Sequence, residues 1–284
     1  MGTLTFRGVS TASLDNVIVA QMPSHKKAKM RYTEYYVKGR DGAVHVNEGL
    51  ANFPIQAKLI LLNAGAKARQ LVNAWADGTG KLVTSDDPTL AYMATIKDEI
   101  VWTRQQAAAY IPEFSATKAY SAGDFVKHTG SIYEFLVNHA AGAWNGSEVA
   151  ARTYLVKGLF DVAAITFDCQ PYMYEATDSV VVLTASGSIV NPGTAEALPL
   201  VEVNGSGDVS FSIAGKSISI AGMTANVPVY IDSETGYIYT ATGAATITGE
   251  CPVIPIATPA APACAVTLGT GITSLRITPR WRWI

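Results

Sequence analysis

Apolar and polar residues alternate along most of the chain, and a period of two predicts strands rather than helices. In the first hundred residues "DNVIVA" and "KMRYTEYYVKG" are β-branched and aromatic runs. Asp41–Gly42 separates the second run from "AVHV", which predicts a hairpin, because Gly accepts the positive φ of a tight turn. "FPIQAKLILLNA", "GKLVTS" and "LAYMATIKDEIVW" predict further strands. One segment departs from the pattern. "NAGAKARQLVNAWADG" sets Ala68, Leu71, Val72 and Trp75 at i, i+3, i+4, i+7. It predicts one short amphipathic helix lying against a sheet, capped by Asn63 and followed by Gly78.

Alternation resumes in "LFDVAAITFDCQPYMYE" and continues to the end. Turns are expected at Asn204–Gly205, at Ala214–Gly215 and around Ser233–Gly236, and strands of this length between such turns predict a β-sandwich. In "SLRITPRWRWI" the alternation puts Leu275, Ile277, Trp281 and Trp283 on a buried face, with Arg276, Thr278, Arg280 and Arg282 opposite. Those arginines either pair with nearby carboxylates or meet another subunit, arginine being enriched at interfaces.

The 284 residues suggest about two domains with room for a substantial core. Charged residues make up only 15%, against 49% hydrophobic, so much of the surface is expected to be covered by partners or by further copies of the chain. The net charge of −2 hides an asymmetry. Residues 1–103 carry 12 Lys+Arg and 9 Asp+Glu, 104–157 carry 5 and 4, and 158–284 carry 4 and 10, consistent with three structural units. No basic face suits a line of phosphates, which argues against sequence-specific nucleic-acid binding. No apolar run approaches a membrane span, and "MGTLTFRGVS" reads as neither signal nor transit peptide, so synthesis and assembly in a cytoplasm are expected. Cys169, Cys251 and Cys264 lack CxxC spacing and are expected to be free, mostly buried thiols.

Catalytic patterns are lacking. His25, His45, His128 and His139 form no HExxH or H-x₃₋₅-H pair, and no GxSxG, P-loop or GxGxxG occurs. Asp86 and Asp87 are adjacent, which on an extended segment aims them to opposite faces; a turn before Pro88 is expected instead. "NGS" at Asn145 and Asn204 means little without secretion. Neither a cofactor, a metal nor an enzymatic activity is expected.

The flanking regions resemble the distal tail protein (Dit) family of long, non-contractile-tailed bacteriophages. The resemblance rests on "TLTFRGVSTASLDNVIVAQM", "YYVKGRDGAVHV", "AKARQLVNAW" followed by "GKLVTSDDPTLAYMATI", "VAAITFDCQPYMYE", "NPGTAEALPLVEVNGSGDVSFSI" and "VYIDSETGYIYT", in that order. It implies a mainly β chain. Residues 1–103 and 158–176 would make a belt domain, a β-sandwich or barrel with one α-helix, and 177–284 a galectin-like β-sandwich. It further implies a homohexameric ring in the virion tail tip, joining the tail tube protein to the tail-tip hub protein, with Arg276, Arg280 and Arg282 as candidates for the subunit interface. No set of sugar-contacting residues stands out in the C-terminal sandwich, and fold alone carries no function.

Residues 104–157 interrupt the belt pattern. "AYSAGDFVKHTGSIYEFLVNHAAGAWNG" resembles the small chitin- and cellulose-binding modules of the type 5/12 kind, with Tyr120, Gly123, Asp124, Val126, Gly130 and Tyr133 at matching positions. An exposed aromatic ring gives the C–H face of a sugar apolar contact with few rotamers to freeze. Tyr120, Tyr133 and Trp144 are the candidate rings, and Asn138, His139 and Asn145 the candidate polar contacts. Tyr133, Phe135 and Val137 alternate along one strand and equally suit a core, which a fold of this size requires. Phe114 stands where related modules usually carry tryptophan, and the segment ends on polar "NGSEVAART", so a soluble or cell-surface glycan is expected rather than a crystalline one. The leading expectation is a tail-tip hub whose insert binds host glycan. A free carbohydrate-binding protein, or the non-catalytic part of a glycan hydrolase, is the alternative from another class, and it leaves the belt pattern unexplained. A cell-wall hydrolase would need an acid–base pair that the sequence does not offer.

Overall fold

The computed structural model describes residues 2–14, 16–62, 66–106, 111–152, 159–241 and 243–284. The fold is mainly β, with one α-helix among the described residues, as the alternation predicts. Two compact units emerge. The first comprises Met1–His25, Pro54–Asp86 and Ala94–Asp168; the second comprises Lys26–Phe53, Asp87–Met93 and Cys169–Ile284.

In the first unit Leu4–Phe6 pairs antiparallel with Thr79–Thr84, Phe6 opposite Leu82, and Val17–Gln21 pairs with Phe53–Leu62, Val19 opposite Leu59. Ile55, Ala57, Leu59 and Leu61 are buried while Gln56 and Lys58 are exposed, so the period of two places this strand's apolar face on the core. The helix Ala66–Trp75 sinks Val72 and Trp75 into that core. The Trp75 ring meets Phe6 and Phe167 edge-on at 5.9 and 6.3 Å, and its Nε1 donates to the Val9 carbonyl at 2.8 Å. Leu71, expected inward, is exposed. At 100° per residue it lies about 90° round from the centre of the Val72, Trp75 and Ala76 stripe, so the buried face is narrower than the four-residue pattern implies. Gly78 follows with φ +85, as a helix exit requires, whereas Asn63 lies outside the described residues.

Thr103–Gln106 pairs antiparallel with the first residues of the strand Leu159–Glu175, Gln106 opposite Leu159 and Thr103 opposite Val162. The interrupting segment thus leaves and re-enters through neighbouring strands. Asp161, fully buried, closes this neck: Arg69 Nε donates to it at 2.5 Å and Arg104 Nε at 3.0 Å. Burial pushes the carboxyl up, but the bonds from Arg104 and Arg69 outweigh it and hold Asp161 below the usual carboxylate range.

In the second unit Met30–Tyr36 and Ala43–Leu50 form the expected hairpin, Tyr36 opposite Ala43, with Gly42 at φ +77. It is a two-stranded sheet by itself, and no residue of either strand is buried. Farther along, Val181–Leu183, Ile272–Thr278, Leu200–Gly205, Val229–Asp232, Tyr237–Thr240 and Gly243–Ala244 make a six-stranded sheet. Gly187–Ile189, Cys264–Leu268, Gly207–Ile213 and Lys216–Met223 make a four-stranded one. Val201, Val203, Ile231, Leu275 and Ile277 of the first share one core with Val209, Phe211, Ile213, Ile218 and Val266 of the second, the expected sandwich. The hairpin turn at Ala214–Gly215 has φ +54 and +79, a pair that matches the twist of the flanking strands. Among the described residues Cys169, Cys251 and Cys264 form no disulfide, and the first and last are buried.

The C-terminal run differs from its prediction. Leu275, Ile277 and Trp281 are buried as expected, but the segment is two strands. Ile272–Thr278 stops before Pro279, which offers no ladder N–H, and Arg280 takes φ +55. Arg282–Trp283 then pairs with the Leu159–Glu175 strand, Trp283 opposite Met173. The arginines therefore form no ladder. Arg280 clamps Asp232 at 2.6 and 3.2 Å and reaches Glu234 at 3.2 Å; Arg282 donates to the Glu196 carbonyl at 2.5 Å and lies 4.5 Å over the Tyr172 ring. These intramolecular bonds engage the two groups that the sequence offered to a neighbouring subunit. Arg276 alone stays exposed.

Candidate functional site

The inserted segment folds on a three-stranded sheet, Phe125–His128, Ser131–Phe135 and Val149–Ala151. Thr129 and Gly130, at φ +48 and +80, close the first hairpin with Val126 opposite Tyr133 and His128 opposite Ser131. Partners across a ladder share a face, so Val126, His128, Tyr133 and Phe135 point the same way. Val126 and Phe135 are fully buried there. Glu134 faces the other side, where Arg152 Nε donates to it at 2.6 Å.

Tyr120 is part of this core and not a sugar platform. It is 4% exposed and stacks on Phe135 at 4.8 Å with an interplanar angle of 9°, with Phe114 stacked at 5.6 Å. Its hydroxyl accepts from the Ser115 N–H at 2.8 Å, and its backbone forms a reciprocal pair with His139. At this depth the ring offers almost no surface to a ligand.

His139 is likewise internal. Its ring stacks on Phe135 at 5.1 Å and its Nδ1 lies 2.5 Å from Glu148 Oε2, with Nε2 buried and without a partner. Asn145 caps the short helical turn Gly146–Glu148: Oδ1 accepts from the Ser147 N–H and hydroxyl, and Nδ2 donates to Glu148 Oε1 at 2.7 Å. The bond from His139, supported by Asn145, holds the Glu148 carboxyl below its ordinary value. These two residues brace the loop beside Trp144 and are already engaged internally. Asn138 is exposed, with its side-chain oxygen taken by the Ala122 N–H at 3.0 Å.

Trp144 and Tyr133 are half-buried. Tyr133 meets Trp144 edge-on at 4.8 Å, Phe114 does so at 5.1 Å, and His128 stacks on the indole at 4.1 Å and 19°. His128, absent from the sequence-based candidates, is thereby part of the patch. Its signal was the hairpin register, which sets it two residues from Val126 on the face that carries Tyr133. Phe114, noted only as a substitute for tryptophan, anchors the same cluster. The patch therefore consists of Trp144, Tyr133 and His128, with Phe114 edge-on to Trp144 and His128. It offers aromatic edges and faces with few charges.

Elsewhere, Asp86 lies in the turn Ser85–Asp86 and meets His25 at 3.0 Å, while Asp87 begins the strand Asp87–Thr95 and accepts from the Thr89 hydroxyl. The two adjacent carboxylates have separate partners, and the expected turn before Pro88 falls at Ser85–Asp86.

Two comparisons fit this geometry. Residues 113–159 match the sequence model of carbohydrate-binding module family 5/12. The whole chain superposes on the crystal structure of the Dit protein of phage SPP1, described as a paradigm of the hub adsorption apparatus in phages that infect Gram-positive bacteria. That match has a TM-score of 0.63 and 12% identity, and it covers 100% of both chains. A chain of the activated phage p2 baseplate matches at 0.44, with 8% identity, 98% of this chain and 97% of that one. Among curated proteins none matches the chain. The chain thus has the fold of a phage distal tail (Dit) protein. Within that fold it carries a carbohydrate-binding module of the 5/12 type.

Proposed function

We propose that the chain is a structural, non-catalytic hub subunit of a phage tail tip. Six copies close into a ring between the tail tube protein and the tail-tip hub protein, and the 113–159 module binds a host cell-surface glycan during adsorption. The observation that carries this reading is the full-length likeness to a phage Dit protein, with the module set within that fold.

The hairpin Met30–Leu50 supports the ring. A lone two-stranded ribbon is marginal in water, and this one exposes Met30, Tyr32, Tyr35, Tyr36 and Val46. Residues 25–50 also carry six Lys+Arg against three Asp+Glu, whereas 158–284 are strongly acidic, so copies of the chain are complementary in charge. For the glycan role the support is the half-buried Trp144, which with Tyr133 and His128 presents aromatic surface at the module's exterior.

Light scattering of the purified chain tests the ring: a mass six times 30.1 kDa is expected. Trp144→Ala should leave that mass unchanged and weaken binding to host cells about tenfold. A monomer with saccharide affinity would instead favour a free carbohydrate-binding protein. Unchanged host binding by Trp144→Ala would make the module a spacer.

A further inference from the structure

The pairing of the six-stranded sheet assembles a row of side chains from strands far apart in sequence. Val182 lies opposite Arg276, Arg276 opposite Glu202, Glu202 opposite Tyr230, and Tyr230 opposite Tyr239. Val181, Val201, Val203, Val229, Ile231 and Ile277 alternate with these positions and fill the sandwich core, so the row points outward. Tyr230 and Tyr239 stack at 5.2 Å and 18°, and Tyr237, on the same face, is 71% exposed. Asn204, one position along on this face, donates to Glu202 Oε1 at 3.2 Å.

The charges in this row are unusual. Arg276 and Glu202 are direct cross-strand neighbours, an arrangement that favours an ion pair. Among the described residues no hydrogen bond or ion pair engages Arg276, in contrast to Arg280, which is clamped by Asp232. The Arg276 guanidinium therefore has its donors free beside a carboxylate whose orientation Asn204 fixes.

We propose that this outer face is a second saccharide-binding site, distinct from the module, taking a neutral, hydroxyl-rich glycan. The tyrosine pair supplies flat apolar area for a sugar's C–H face. Arg276 donates to, and Glu202 accepts from, the hydroxyls of the same ligand, and charge-assisted hydrogen bonds are the stronger kind. The two charges cancel, so the face attracts no ion of either sign. A protein-docking core would be depleted of charge at its centre, whereas this row has its charged pair there.

The test is fluorine NMR of the full chain labelled with fluorotyrosine, the signals assigned with Tyr230→Phe and Tyr239→Phe. The probes are soluble N-acetylglucosamine and galactose oligosaccharides. Saturable shifts at both tyrosines are expected, weakened about tenfold by Arg276→Ala and unaffected by Trp144→Ala. The site is overturned if neither probe moves these signals up to about 10 mM, or if Arg276→Ala binds as tightly as the parent. It is equally overturned if Trp144→Ala abolishes the shifts, which would assign them to the module, or if only another tail protein produces them.

Discussion

Tyr120 discriminates most sharply between a core role and a contact role. Tyr120→Phe keeps the ring stacked on Phe135 and removes the hydroxyl's two hydrogen bonds, one accepted from the Ser115 N–H at 2.8 Å and a long one donated to the Ser115 carbonyl at 3.5 Å. A net loss of about 1 kcal/mol is expected, with glycan affinity unchanged. Tyr120→Ala removes the ring itself. Truncating a buried aromatic costs roughly 3–5 kcal/mol. The core around it is small, Tyr120, Val126 and Phe135 with partly buried neighbours, and a module of this size holds on the order of 3–5 kcal/mol in total. The substitution therefore consumes the module's whole stability. Hydrogen exchange resolved by segment is the assay. Protection should collapse across 113–152 in Tyr120→Ala and persist in the strands Leu4–Phe6 and Thr79–Thr84, with glycan binding lost together with the protection. If Tyr120→Ala keeps its protected amides yet loses affinity, the ring is a contact after all and the core assignment fails. Loss of affinity in Tyr120→Phe with protection intact would point the same way.

Asp161→Asn should destabilise the neck by about 2 kcal/mol at pH 7, since Arg69 and Arg104 lose their shared charge but both reach water. Because the folded-state value lies below the unfolded one, this contribution is complete above about pH 4 and is lost as pH falls through the folded value, so denaturant midpoints of parent and variant should converge in acid. Arg280→Ala should cost roughly 2–3 kcal/mol by leaving Asp232 half-buried and unpaired, and calorimetry should show its effect fading in acid as that carboxyl protonates. Deleting 107–157 and bridging Gln106 to the next strand, so that Arg104 keeps its bond to Asp161, should give a chain with the parent's light-scattering mass; failure to fold would mean that the module shares the surrounding core.

Much of the fold was legible because it depends on local rules. Asp41–Gly42 and Ala214–Gly215 announced their turns, and the alternation in Phe53–Leu62 and Leu275–Ile277 announced the buried faces. Less legible was anything set by a single backbone reversal or by pairing at long range. Alternation continues through Pro279 and Arg280, so the break into two strands left no periodic trace, and the two arginines after it acquired partners that only the folded chain supplies. In the module, the spacing located the aromatic residues, and Gly142 and Gly146 on either side of Trp144 marked it as the ring of a loop. Nothing comparable marked the depth of Tyr120, whose backbone forms a reciprocal pair with His139 in the folded module. The outer row of the sandwich was invisible for a simpler reason: its members come from five strands spanning about a hundred residues.

The neck of the module has an evolutionary meaning. Gln106 and Leu159 face each other across one ladder, so the guest fold starts and finishes about 5 Å apart. Any small domain whose own ends meet can occupy the same socket without altering the register on either side. The surrounding sheet can therefore carry a different guest fold at this point while its own strand pairing is inherited unchanged.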